Sequence, residues 1–416
     1  MQFKNIIFCG LMSAAFIVSA CQPSQQVPEI IPTTGIFPDG AEVFYLERHN
    51  ILVEAFRSGK ATTDYDTETR FGETLKAKPM PRGETALPVE LLQDLKDYVG
   101  DKRTDSFLVY EDGKIVSETY FGDVSADSLI NAKSLAKPLG VIATGRAISA
   151  GYIESLDQKV SDFIIEWQGT DKENIKIRYL LDMRTGLLPQ ARATGPEDIL
   201  NRAYLHPHHD EVIIHEYPLV DEPGSRYEYS NANSELVSVV ISRATGKTYQ
   251  DWIAKEVLEP LGAGGGKIWL NREGGVAHSG CCVKLTSETY LKLAIMIMQN
   301  GQWEGETFLP ETYIKEMTTP TEHNRFTGMG IYLGKEYKEY RGALNPDRKE
   351  LPGSYHSEPY LDKDIMLFDG NGAQVIYILP SRNIVIARLG NFSRTEQPWD
   401  NSYLPNKVIR ALETDN

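Results

Sequence analysis

Strand-like text lies near both ends of this chain and hardly at all between them. In "SFLVYEDGKIVSETYFG" (106–122) two runs rich in β-branched and aromatic residues flank Asp112-Gly113, the pairing that favours a two-residue hairpin turn. Close to the other end, "AQVIYILP" (373–380) and "NIVIARLGN" (383–391) form a second strand pair across "PSRN". The text between them has helical spacing, as in "SLAKPLGVIATGRAISAG" (134–151), "IRYLLDMRTGLL" (177–188) and "SELVSVVISRATG" (234–246). "TSETYLKLAIMIMQNG" (286–301) adds an amphipathic helix, with Thr286 or Ser287 as cap and Gly301 as stop. Further helices are expected in "ALPVELLQDLKDYVG" (86–100) and "YLPNKVIRALE" (403–413). Strands separated this far in sequence can share a core only if the ends of the chain return to one sheet. The expected fold class is therefore α+β: an antiparallel sheet flanked by helices, built from about 86–133 and 330–416, plus a mainly helical region at about 134–330.

The N-terminus reads differently. Residues 1–20, "MQFKNIIFCGLMSAAFIVSA", have one lysine, an apolar run and a small-residue end, the pattern of a secretory signal. "VSAC" (18–21) resembles the lipobox of bacterial lipoproteins, which implies lipidation at Cys21. Gln22 is not the aspartate associated with inner-membrane retention, so the expected location is the outer membrane, facing the periplasm. Residues 21–40 are rich in Pro, Gln and Thr and are expected to act as a flexible tether; residues 41–85 are an extension without an assigned role. A net charge of -15 argues against nucleic-acid partners. Cys281 and Cys282 are adjacent, a spacing that suits neither zinc nor an unstrained disulfide, and they are expected to be buried thiols.

Three local patterns carry chemistry. Ser134 and Lys137 stand three apart, on one face of a helix start, where an amine can take the proton of a hydroxyl nucleophile. The helix dipole and desolvation both favour the neutral amine. About 95 residues on, Tyr229-Ser230-Asn231 sits between a Pro-Gly turn and an apolar helix. A loop tyrosine there can shuttle a proton, and a nearby cation would make its phenolate accessible. The third pattern, Gly370-Asn371-Gly372-Ala373, allows close backbone approach just before a strand, which could supply an oxyanion-hole N–H.

In this order and spacing the three patterns resemble the serine β-lactamase and penicillin-binding-protein family. "LLDMRTGLL", "PGSRYEYSNAN" and the stretch "SGCCVKLTSETYLKLAIMIMQNGQWEGETFLPE" look most like its esterase and aminohexanoate-dimer (nylon-oligomer) hydrolase branch, over about residues 86–416. The resemblance implies Ser134 as nucleophile, Lys137 as base and Tyr229 as proton shuttle that also activates the deacylating water. It implies that Asn231 positions substrate or Lys137, and that Asn371, Gly372, Ala373 and Gln374 bind substrate or form the oxyanion hole, through the N–H groups of Ser134 and Gln374. It implies an ester- or amide-cleaving enzyme of small molecules that needs no cofactor or metal. A β-lactamase or D-alanyl-D-alanine carboxypeptidase is the alternative within the family, and a catalytically silent binding lipoprotein the alternative outside it. Two positions depart from the pattern. Pro138 follows the base directly, and Asn371 replaces the cation credited with holding a substrate carboxylate. Four of the chain's eight histidines cluster in "HPHHDEVIIH" (His206–His215), expected to be a loop at the cleft lip rather than a metal site.

Overall fold

The computed structural model describes residues 28–58, 66–131, 133–348, 353–391 and 399–414. The signal segment and Cys21 lie outside these residues. Six strands form the main sheet: β1 (Thr104–Glu111), β2 (Lys114–Tyr120), β3 (Tyr332–Leu333), β4 (Met366–Gly370), β5 (Gln374–Leu379) and β6 (Ile384–Gly390). Their spatial order is β2-β1-β6-β5-β4-β3, and each adjacent pair is antiparallel. The two ends of the chain meet where β6 pairs with β1, Ala387 opposite Leu108. Asp112 and Gly113 both take positive φ, 43° and 91°, as a two-residue turn between right-twisted strands requires.

The period-2 pattern of each strand sorts its side chains between two cores. Phe107, Val109, Val375, Tyr377 and Ile386 face Leu95 and Val99 of helix Val89–Gly100 and Leu404 and Val408 of helix Tyr403–Thr414. Leu108, Ile376, Ile378, Val385 and Ala387 face the other way, into the larger core shared with helix Ser287–Met298. The sheet is thus covered on both faces, and the fold is the α+β arrangement expected. Among the described residues no helix is long and apolar enough to cross a membrane.

The helical region holds a second sheet that the sequence reading did not anticipate. It has four strands, in the order Glu68–Phe71, Gly266–Trp269, Val283–Leu285, Ile130–Asn131. Its outer strand comes from the N-terminal extension, which is therefore built into the body. Arg48, on helix Ala41–Arg57, fastens it further. Its guanidinium pairs with Asp66 at 2.9 Å and donates to the carbonyls of Leu205 and Asn271. The stretch expected as a tether is also docked from residue 28 on: Thr33 donates its N–H to Glu166, and Phe37 packs on His206.

Two further expectations are corrected. "HPHHDEVIIH" is not a lip loop, because Val212, Ile213 and Ile214 are buried and draw His209–His215 into a helix. Its histidines scatter. His206 packs tilted against Phe37, His208 pairs with Glu211, His215 meets Thr33, and His209 turns inward. Cys281 and Cys282 form a disulfide with each other, with the Tyr204 hydroxyl 3.6 and 3.5 Å from the two sulfurs, so they are not free thiols.

Candidate active site

Ser134 lies in a short 3-10 turn, Lys133–Leu135, that runs straight into helix Ala136–Ser149. The turn begins with Lys133 at φ 53°, a left-handed conformation that a non-glycine residue adopts only where its surroundings impose it. Asn131 Oδ1 accepts the Lys133 N–H at 3.0 Å and helps to hold it there. Pro138 is the third residue of the helix, where a backbone N–H has no intrahelical acceptor in any case. The proline therefore costs no helical bond, and Lys137 stays on the serine's face.

Lys137 Nζ lies 3.1 Å from Ser134 Oγ, 3.2 Å from Asn231 Oδ1 and 2.8 Å from the carbonyl of Gly280. Tyr229 OH lies 3.1 Å from Ser134 Oγ on another side. The four residues that the first two motifs named therefore meet at one point. Burial pushes the Lys137 amine down to about 8, against a smaller opposing pull from the Glu235 carboxylate. Burial pushes Tyr229 up to about 12, which corrects the expectation of an accessible phenolate: the tyrosine is a neutral phenol. The hydrogen bond from Ser134 lowers it by less than burial raises it, and the Asp369 and Glu235 carboxylates push it up further.

The loop that holds Tyr229 is fixed by a neighbouring segment the motifs did not include. Gln190 N donates to the Tyr229 carbonyl at 2.7 Å, and Gly224 N and Glu228 N donate to Arg184 and Met183. Gln190 also settles which way Asn231 points. The Asn231 Nδ2 donates to Gln190 Oε1 at 3.0 Å, which leaves Asn231 Oδ1 facing Lys137. Gln190 gave no sequence signal because its partners lie 39 and 41 positions away.

The third motif stands just before a strand, as read. Gly370 pairs with Gln374, so Asn371, Gly372 and Ala373 form the turn between β4 and β5. Asn371 is exposed. The carbonyls of Gly372 and Ala373 both accept from Arg388 Nη1 at 2.8 Å. Arg388 is fully buried and also takes the carbonyls of Lys102 and Asn391 and the hydroxyl of Thr104. Gln374 is buried at the start of β5, and its Nε2 donates to the carbonyl of Asn131, three residues before the serine. The strand thus abuts the serine segment, while Asn371 stays at the rim.

A pocket opens over Ser134 and Lys137, walled by Leu181, Met183, Tyr227, Ile331, Tyr332 and Asp369. Asp369 is paired with Arg341 at 2.9 Å. A buried amine in contact with a half-buried hydroxyl, itself in contact with a half-buried phenol, at the floor of a pocket can perform acyl transfer: a base beside a nucleophile, and a neutral acid beside it.

The Beta-lactamase family model matches residues 93–403. The 6-aminohexanoate-dimer hydrolase of Paenarthrobacter ureafaciens is 22% identical over 289 residues, covering 63% of this chain and 71% of that protein. Among solved structures, a family VIII carboxylesterase superposes with a TM-score of 0.56 at 16% identity, over 80% of this chain and 100% of its own. EstCE1, a hydrolase with promiscuous acyltransferase activity, gives 0.58 at 16% identity, over 78% and 97%.

Gly280 tests the geometry from outside the motifs. A Cβ there would stand 2.9 Å from Glu235 Oε1 and from Ser234 Cβ, so Gly280→Ala must displace either those side chains or the turn whose carbonyl holds Lys137. Misplacing a reacting group by about 1 Å costs on the order of 100-fold. Gly280→Ala is expected to lower kcat/KM by about that factor while the protein still folds by circular dichroism. An unchanged kcat/KM would remove Gly280 from the site.

Proposed function

This chain belongs to the Beta-lactamase family, and from that premise we propose that it is a serine hydrolase that cleaves neutral esters or amides through an acyl intermediate on Ser134. One observation carries the reading. A neutral amine has two N–H donors and one lone pair. Asn231 Oδ1 and the Gly280 carbonyl, neither of which can donate, take the two donors of Lys137. The lone pair is then left for the Ser134 hydroxyl, 3.1 Å away.

The steps follow from these positions. Lys137 takes the Ser134 proton as Oγ bonds to the substrate carbonyl carbon. The tetrahedral oxyanion forms beside the start of the serine helix and the β5 end. The Tyr229 phenol then gives its proton to the leaving oxygen or nitrogen as that bond breaks, and the Lys137 ammonium restores the phenol's proton. In the second half, the same pair withdraws a proton from water as it attacks the acyl carbon, and Ser134 leaves as its hydroxyl.

The pocket favours neutral substrates. A carboxylate beside the scissile bond would face Asp369, whose arginine is already paired, and Arg226 and Arg348 are both committed to Glu228. Asn371 offers at most a neutral hydrogen bond, worth about 1 kcal/mol against about 1.5–3 for a charged one. Similarity to a 6-aminohexanoate-dimer hydrolase supports hydrolysis of a small ester or amide. At the N-terminus, Val18–Cys21 supports a lipid anchor at Cys21 in the cell envelope.

Ser134→Ala, Lys137→Ala and Tyr229→Phe are each expected to lower kcat at least about 1,000-fold, with little further loss on combination, because the three groups act as a unit. A fluorophosphonate should label the wild type at Ser134 and fail on Ser134→Ala. Lys137 works as the free base, so kcat/KM should rise with pH and level off above about 8, falling about tenfold per unit below it. A flat profile between pH 6 and 9 contradicts Lys137 as the base.

Short-chain p-nitrophenyl esters should be turned over with a kcat/KM at least about 100 times that of an anionic cephalosporin. Asp369→Asn leaves Arg341 uncompensated and should move that ratio about tenfold toward the cephalosporin. Comparable wild-type values for the two substrates would refute the neutral preference.

Wild-type protein expressed in a bacterial host with lipoprotein processing should fractionate with membranes and carry acyl chains on Cys21 by mass spectrometry. Cys21→Ser should abolish the modification. A wild type without lipid contradicts the anchor.

A further inference from the structure

Behind the catalytic lysine three titratable side chains converge from separate elements. His209 opens the helix His209–His215, Glu235 lies one turn after Asn231 in the helix Asn231–Thr245, and His278 precedes the turn that ends at Gly280. Their exposures are 0%, 2% and 0%. Glu235 Oε2 lies 3.4 Å from His278 Nδ1 and 3.7 Å from His209 Nε2. Among the described residues, neither that oxygen nor any of the four ring nitrogens has a hydrogen-bond partner. Five buried polar atoms without a well-formed hydrogen bond carry a large desolvation cost, offset only by the long Glu235–histidine contacts.

The spacing matches a shared ion better than direct hydrogen bonds. Metal–nitrogen and metal–oxygen bonds of about 2.0–2.2 Å place neighbouring ligands of a tetrahedron about 3.4 Å apart. The three donor atoms all lie within 4.8 Å of one another. We propose that His209, Glu235 and His278 bind one divalent transition ion, zinc being the best match for two imidazoles and a carboxylate.

The surrounding frame is rigid. Ser279 Oγ donates to the Ser234 carbonyl at 2.6 Å and accepts from Ser238 N at 3.0 Å, which staples the 278–280 turn to the glutamate's helix. His278 lies flat on Trp269, with ring centroids 3.9 Å apart, and His209 stacks on its other face at 4.1 Å. Shared coordination asks His209 to tip out of that stack, a side-chain rotation, while His278 stays pinned. The ion would act structurally, fixing the turn whose last carbonyl holds Lys137.

Metal content reads this site independently of the catalytic assignment. Full-length protein is purified from zinc-supplemented culture without metal resin or chelator and analysed for metals. About one zinc per chain is expected. His209→Ala and His278→Ala should each lower it at least tenfold, and Ser134→Ala should leave it unchanged. If those variants do not fold, chelator-stripped wild type is titrated with Co²⁺. Visible absorption of a four-coordinate site saturating near one equivalent, with a higher melting temperature, supports the site. Background zinc in the wild type together with no stoichiometric Co²⁺ uptake overturns it, as does wild-type zinc content in a folded His278→Ala protein.

Discussion

A buried lysine amine at the floor of a pocket sets the terms for the structure around it. An ammonium in that position would lose its hydration and find only three partners, so burial drives Lys137 toward the free base. Two of those partners come from different elements, the Asn231 helix and the Gly280 turn, and both must be in register for the lone pair to point at the serine. Each is held in turn from behind, Asn231 by Gln190 and Gly280 by the Ser279 staple. The fold, more than the lysine's own helix, decides which of its directions remain open.

The main sheet contributes by bringing remote text to the same place. The turn at 371–373 would be free to wander, since it carries a glycine and a left-handed alanine. Arg388 prevents this by collecting four backbone carbonyls from three segments with one planar guanidinium. With the Gly372 and Ala373 carbonyls turned toward Arg388, the start of β5 is presented at a fixed angle to the serine segment, where Gln374 bonds to Asn131. A lysine at position 388 could not satisfy the same geometry, because an ammonium has three donors and no fork.

What could be read from the sequence was what is local or periodic. Alternation in 106–120 and 374–390, and the Asp112-Gly113 turn, dictated the antiparallel sheet and which faces it buries. Ser134 and Lys137 are three apart, so their spacing already implied a shared face, and Tyr229 and Asn231 lie two apart at a loop-to-helix junction. What stayed hidden depends on contacts between distant segments. The second sheet joins residues 68–71 to 266–269, and no short window shows that pairing. The histidine cluster misled because proximity in sequence is not proximity in space. Helix formation at 209–215 sends its histidines to different neighbours, and the partners of His209 lie at 235 and 278. Tyr229 was read as a phenolate because a cation was expected nearby, whereas the same burial that discharges the lysine also keeps the phenol protonated.

The two buried layers answer one electrostatic problem together. Asn231 begins the helix and Glu235 follows it by one turn, so the carboxylate stands close behind the amine and works against its discharge. Left alone, Glu235 would pull Lys137 back toward the ammonium and weaken it as a base. His209 and His278 flank that carboxylate at 3.7 and 3.4 Å. A divalent ion held by all three would cancel the carboxylate's charge and leave desolvation to act on the lysine unopposed. The carboxylate then serves as a ligand, and the turn that carries His278 and Gly280 links its occupancy to the position of the base.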